Sequence, residues 1–210
     1  MYAGVNPVET YIREGQYARL PELPYSPGHD AAGIIEAVGH EAKTSLKVGQ
    51  RVFITGKNSG AYQEYSVAED TFVFPLHQRM SLAQGASLGT PYFTAYKALI
   101  MGADTKPGEK VLIHGASGAV GTAAIQIARA LGATVVGTAG TKEGMDVVTK
   151  CGAHHVFNHN DEGYDQKMVK QIGGNFDVII EHLANVNLGT DMQMIKEGME
   201  WFYKLNRRFF

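Results

Sequence analysis

Residues 110–121 carry the chemistry that is easiest to read: Lys-Val-Leu-Ile-His-Gly-Ala-Ser-Gly-Ala-Val-Gly. An apolar run ends at His114, and glycines follow at 115, 118 and 121. A dinucleotide site needs glycine where the chain turns sharply after a strand, where the backbone approaches the pyrophosphate, and where helix and strand pack closely. Gly115, Gly118 and Gly121 match those three needs. Ser117 adds a hydroxyl donor. Ala119 and Val120 then open a helix whose unpaired N–H groups and positive dipole end favour phosphate. The plainer alternative is a tight strand-to-helix turn whose glycines only permit packing; it explains Gly121 but not the triplet with Ser117.

The choice of dinucleotide is read at the end of the next strand, Gly137-Thr-Ala-Gly-Thr-Lys142. A site for NAD places a carboxylate there to accept the ribose 2′-hydroxyl. Here Gly140, Thr141 and Lys142 follow, and a cation beside a hydroxyl suits a 2′-phosphate, so the expected cofactor is NADPH. Glu143 is the contrary feature. Lys142 also reads as a solvated side chain, although a cation in the first turn of a helix is unfavourable without an anion nearby.

Such a site needs strands and helices in alternation, and the sequence supplies them. Strands are expected at 111–113, 134–137, 155–157 and 176–180, and helices at 118–131, 142–150 and 164–172, the pattern of a parallel sheet with crossover helices. Val120, Ala124, Ile127, Ala128 and Leu131 share one helical face, as packing on a sheet requires. Upstream, Tyr92, Ala95, Tyr96, Leu99 and Ile100 recur at helical spacing before the turn at Pro107-Gly108. The first half differs, with Pro7, Pro21, Pro24 and Pro27, alternation along Ala32, Ile34, Glu36 and Val38, and strand-like runs at 51–54 and 61–67. Residues 199–210, with Trp201, Phe202, Phe209 and Phe210, have no strand period and read as a tail foreign to this pattern. The expected division is a β-rich region at 1–88, a dinucleotide-binding region at 89–198, and the tail.

Composition narrows the function classes. With 44% hydrophobic residues in a chain of 210, a sizeable core is expected rather than disorder. A net charge of -2 provides no basic footprint for nucleic acid. Cys151 is the single cysteine, so no internal disulfide forms. The first residues have neither a basic nor an apolar leader pattern, and no apolar run is long enough to span a bilayer, so a cytoplasmic location is expected.

Five segments also carry a family resemblance: Gly4-Val-Asn-Pro-Val-Glu-Thr-Tyr11, Pro24-Tyr-Ser-Pro-Gly-His-Asp30, Tyr92-Phe-Thr-Ala-Tyr96, His114-Gly-Ala-Ser-Gly118 and Leu183-Ala-Asn-Val-Asn187. From about residue 4 to 198 the chain resembles the zinc-free, NADPH-dependent quinone oxidoreductases of the zeta-crystallin type, in the medium-chain dehydrogenase/reductase superfamily. The resemblance implies an α/β protein: a partial GroES-like β-rich catalytic domain followed by an incomplete Rossmann domain, a doubly wound parallel sheet. It implies one-electron reduction of a quinone to a semiquinone in a metal-free cleft between the domains. Asn6 and Tyr11 would border the quinone, with Tyr11 also near the nicotinamide. Ser117, Gly118, Ala119 and Val120 would cradle the pyrophosphate, and Gly140, His159 and Asn187 would line the adenosine and ribose side.

Alternatives remain open at three of these residues. Tyr11 also reads as a core aromatic, His159 as a loop residue within Asn158-His-Asn160, and Asn187 as a helix N-cap before Leu188. Zinc-dependent members of the superfamily hold their metal with Cys, His and Cys. Asn6 stands where the first of those cysteines would be, Thr90 lies near where the last would be and only His29 remains, so no metal is expected, and His29 is expected in a polar contact beside Asp30. The family's lens-protein role and its binding of AU-rich RNA imply a second class, a non-catalytic NADPH-binding fragment, and its homotetramers imply the same assembly. The family also has a β-rich segment before Gly4 and further strands after Gly198. The chain is therefore expected to be truncated at both ends, as a splice form, a fragment or a faulty gene model, with a recognisable but incomplete cofactor site.

Overall fold

The computed structural model describes residues 1–197 and the backbone of 202–203. The chain divides after Phe93 into two compact units.

In the first unit a four-stranded antiparallel sheet runs in the order β1 (Tyr2–Gly4), β2 (Asp30–Ile34), β3 (Arg51–Ile54), β4 (Val73–Pro75). Helix α1 (Pro7–Arg13) starts after Asn6, whose extended backbone forms the N-cap, and Pro7 sits in the first turn where its missing N–H costs nothing. Helix α2 (Leu82–Ala86) opens with a reciprocal cap: Ser81 Oγ accepts from the Gln84 N–H at 3.1 Å and Gln84 Oε1 from the Ser81 N–H at 2.8 Å. A small core of Ala32, Leu76 and Ala86, flanked by Phe53, Met80, Leu82 and Leu88, joins α2 to the sheet.

The 51–54 strand forms as expected, but two other readings are corrected. The 61–67 run makes no strand. Val67 N–H donates to Ser59 Oγ, the Ala61 and Tyr62 N–H groups both turn to Pro27 O, and the Gln63 side-chain amide ties back to the carbonyls of Ser59 and Gly60, so groups that a ladder would have used are taken up by a side chain and a turn. The alternation along 32–38 also fails, because β2 ends at Ile34, which is exposed while Ala31 and Ala32 are both buried. The middle of β2 is covered on both faces, so no period-2 contrast survives.

In the second unit the parallel strands β5 (Lys110–Ile113), β6 (Thr134–Ala139), β7 (His155–Asn158), β8 (Val178–Glu181) and β9 (Phe202–Tyr203) lie in the order β7-β6-β5-β8-β9. The helices α4 (Ala119–Ala130), α5 (Lys142–Cys151), α6 (Tyr164–Ile172) and α7 (Ala184–Met194) alternate with the strands. Helix α3 (Gly89–Tyr96) continues into a π-helical turn, Lys97–Gly102, and leads to β5. The strand order reverses at β5. Helices α4 and α5 pack on each other, as do α6 and α7, as right-handed crossovers on either side of that reversal require. The core is Leu112, Val136, Met168, Phe176, Ile179 and Met194.

Three details depart from expectation. The buried residues of α4 are Gly121, Ala123, Ala124, Ile125 and Ala128, while Val120, Ile127 and Leu131 are half-buried. Phe176 stands before β8 rather than in it, fully buried, its N–H donating to Met194 O at 2.8 Å and its carbonyl accepting from Lys196 N–H at 2.9 Å. The backbone of Phe202–Tyr203 pairs in parallel with Ile180 and Glu181, although no strand period announced it. An open edge offers backbone groups to any extended segment, whatever its side-chain period. The remainder of the 199–210 tail, and every side chain in it, lies outside the described residues.

A candidate dinucleotide site

The strand reversal between β5 and β8 marks where an open α/β sheet binds ligands, beyond the carboxyl ends of its strands. The three expected glycine roles take physical form there. Gly115 turns the chain with φ +56°, a left-handed conformation that costs glycine little. Ala116 N–H donates to Thr138 O at 2.9 Å, which ties the turn to β6, and Gly118 N–H donates to Gly115 O at 3.0 Å. Gly118 is the N-cap of α4 and offers no side-chain acceptor, so an external acceptor can meet the first-turn N–H groups. Gly121 is held against the turn: a Cβ there would stand 2.6 Å from Ala116 Cα and from Gly115 O. Gly115, Ser117, Gly118 and Ala119 are exposed and Val120 half-buried, so the cradle opens to solvent.

The next two loops come to the same rim. After β6, Thr141 is the N-cap of α5, its Oγ1 accepting from the Gly144 N–H at 3.0 Å. Exposed Lys142 begins the helix, and Glu143 is also exposed in its first turn. Ser117 Oγ and Thr141 Oγ1 converge on Gly144, where a Cβ would lie 3.2 Å from each. After β7, exposed His159 lies against Gly140, and Asn160 Nδ2 donates to the Gly140 carbonyl at 2.9 Å. Residues from the ends of three strands thus sit together: Gly115 to Val120, Gly140 to Lys142, and His159.

Asn187 sits differently. It lies inside α7, whose N-cap is Leu183, so the N-cap alternative does not hold. Its Nδ2 donates to Glu181 Oε2 at 2.9 Å. Glu181, buried at the end of β8, also accepts from the Leu183 N–H. Next to it, buried His114 meets Asp191 Oδ1 through Nε2 at 2.9 Å and Thr138 Oγ1 through Nδ1 at 3.3 Å. Sequence reading passed over Glu181 and Asp191. The one available signal was two carboxylates embedded in apolar, helix-and-strand context, which requires partners wherever it is buried.

In the first unit, Asn6 is 6% exposed and donates its side-chain amide to Asp30 Oδ2 at 2.8 Å. Asp30 also accepts from Thr55 Oγ1 at 2.7 Å and from the Thr90 N–H at 2.8 Å. Glu9 Oε2 accepts from the Asn6 N–H at 2.8 Å and from the Tyr62 hydroxyl, and Oε1 accepts from the His29 N–H at 3.0 Å. Burial pushes the Glu9 carboxyl up, but these hydrogen bonds together outweigh it and hold the pKa at about 2. His29 is shifted up chiefly by Glu9, whose Oε1 lies 3.6 Å from its Nδ1. The polar contact expected of His29 is therefore mainly with Glu9. Tyr62 is shifted up by burial and by Glu9. Tyr11 lies half-buried in α1.

Comparison with known proteins agrees with this geometry. Residues 1–78 match the family described as alcohol dehydrogenase GroES-like domain, and residues 119–200 the one described as zinc-binding dehydrogenase. The chain is 56% identical to quinone oxidoreductase from Pongo abelii and 55% to that from Homo sapiens, each over 196 residues. These matches cover 93% of this chain and 59% of those proteins, so the chain spans well under two thirds of the relatives' length. Among solved structures, Escherichia coli quinone oxidoreductase complexed with NADPH superposes with a TM-score of 0.83 at 31% identity, covering 95% of this chain and 61% of that one. The GroES-like match falls on the antiparallel unit and the dehydrogenase match on the glycine-turn unit, and over 196 residues the chain is more than 50% identical to quinone oxidoreductases, to which it is similar.

Proposed function

We propose that the chain is the NADPH-binding portion of a quinone oxidoreductase. The observation that carries this reading is the exposed cradle of Gly115, Ser117, Gly118 and Ala119, with Thr141 and Lys142 on the same rim. The donor chemistry fits the cofactor: backbone N–H groups and Ser117 suit a pyrophosphate, and a hydroxyl beside an ammonium suits a 2′-phosphate. Ser117, Gly118, Ala119 and Val120 hold the pyrophosphate, Gly115 and Gly121 shape the turn, and Thr141 and Lys142 bind the 2′-phosphate. Gly140 and His159 line the adenosine side. Glu181 holds Asn187 through its amide nitrogen, and Asn187 lines the ribose side.

NADPH supplies the reducing equivalents, and the protein supplies position and polarity. Tyr11 contacts the nicotinamide end. Asn6 is a positioning residue in this reading, since its buried amide is committed to Asp30. The quinone is the proposed substrate, as the relatives' names indicate. The family's homotetramer is carried over to the assembled protein. Among the described residues no helix is long and apolar enough to cross a membrane, and a cytoplasmic location is part of the proposal.

The test is a fluorescence titration with NADPH and NADH, followed by loss of NADPH absorbance with an ortho-quinone. Tighter binding of NADPH than of NADH, with quinone-dependent oxidation, is the expected result. Equal affinity for both nucleotides would remove the phosphate-pocket reading. Binding without turnover would support the second class, a cofactor-binding protein without catalysis.

A further inference from the structure

We propose that His114, Glu181 and Asp191 form a divalent transition-metal site behind the nucleotide rim, unrelated to the Cys–His–Cys zinc position of the superfamily. Each residue offers one ligand atom, and these atoms lie within 4.8 Å of one another. His114 Nε2 is 2.9 Å from Asp191 Oδ1 and 3.8 Å from Glu181 Oε2. Tetrahedral zinc with its usual bond lengths spaces its ligands about 3.3 Å apart, so the two His114 distances change by about half an ångström and the widest pair closes by up to about 1.5 Å around one ion.

The second observation is an orphan. Asp191 is 2% exposed, and its Oδ2 is buried with no hydrogen-bond partner. An unpaired carboxylate oxygen in the interior is costly, and a cation satisfies it. Charge points the same way, because two buried carboxylates face one imidazole and a divalent ion balances them. The surroundings are those of a metal site as well: Thr138 Oγ1 sits at the other imidazole nitrogen, and the Asn187 amide and Leu183 N–H hold Glu181. One imidazole with two carboxylates suits Zn²⁺, Co²⁺ or Mn²⁺ rather than a soft ion. The ion joins β5, β8 and α7 next to Gly115. The site is hidden in sequence because His114 and Asp191 stand 77 residues apart.

The test does not depend on the proposed function. The protein is treated with a chelator, loaded with one equivalent of Co²⁺ or Zn²⁺ and desalted; metal content, the Co²⁺ visible spectrum and the melting temperature are then read. One ion per chain, a Co²⁺ spectrum with imidazole and carboxylate character and a higher melting temperature are expected. Asp191→Asn, which preserves shape, and His114→Gln should each weaken the metal at least ten-fold and abolish the thermal shift. Thr138→Val should weaken it about ten-fold through the imidazole. Failure of the wild-type protein to retain metal would overturn the proposal. So would retention by folded Asp191→Asn and His114→Gln proteins at wild-type affinity, which would place the ion on other side chains.

Discussion

Replacing Gly121 by alanine isolates the contact on which the cradle depends. Two effects oppose each other. Alanine inside a helix gains about 1 kcal/mol over glycine from backbone entropy. Against that, the new Cβ would lie 2.6 Å from Ala116 Cα and Gly115 O and 2.7 Å from Ala116 C, while ordinary contact begins at 3.4 Å. All three neighbours are backbone, which cannot rotate away as a side chain would. Helix or turn must therefore shift by about 0.8 Å, and overpacking of this kind costs about 1–3 kcal/mol. The steric effect wins, with an expected net loss of about 1 kcal/mol and a displaced Gly115–Gly118 turn. Urea unfolding reads the first consequence, and NADPH titration the second, with at least ten-fold weaker binding expected. Gly118→Ala is the control. Its Cβ meets only Gly115 O, at 3.3 Å, so stability should hardly change while the side chain obstructs the pyrophosphate. If Gly121→Ala keeps the wild-type midpoint and binds NADPH within two-fold of wild type, the close-approach argument is wrong.

Three further predictions concern charge. Lys142→Ala should weaken NADPH about five-fold and leave NADH unchanged, because an exposed ammonium contributes only part of a charge-assisted bond; the loss should shrink as salt is raised in the titration. Glu9 is held at a pKa of about 2 against 4.5, below its unfolded value, so its stabilisation is complete above about pH 5 and disappears as pH falls toward 2. With its side chain 5% exposed, that stabilisation is about 3 kcal/mol, and Glu9→Gln should flatten the acid limb of a stability–pH profile. His29 has the opposite sign: its folded pKa is raised, so its contribution is present below its unfolded value and is lost as pH rises through the folded one.

Local chemistry was enough for the glycine turn and the strands and helices around it. The 110–121 motif, the carboxylate-free end of β6 and the alternating apolar runs each fix backbone conformation within a few residues, so they can be read without knowing what lies across the sheet. The resemblance extended that reading to the GroES-like unit and to quinone chemistry. Local pattern failed where another part of the chain supplied the partner. Ser59 and Pro27 took up backbone groups of a run that looked like a strand, and Gly121 of α4 packs against the backbone of Ala116. The open edge of β8 recruited a segment with no strand period. The polar networks were least visible of all. Asn6 meets Asp30 across 24 residues, Tyr62 meets Glu9 across 53, and His114 meets Asp191 across 77. A buried carboxylate must find donors, which sequence alone makes certain; only the folded chain decides which donors reach it, because desolvation strengthens a contact that spacing along the chain does not encode.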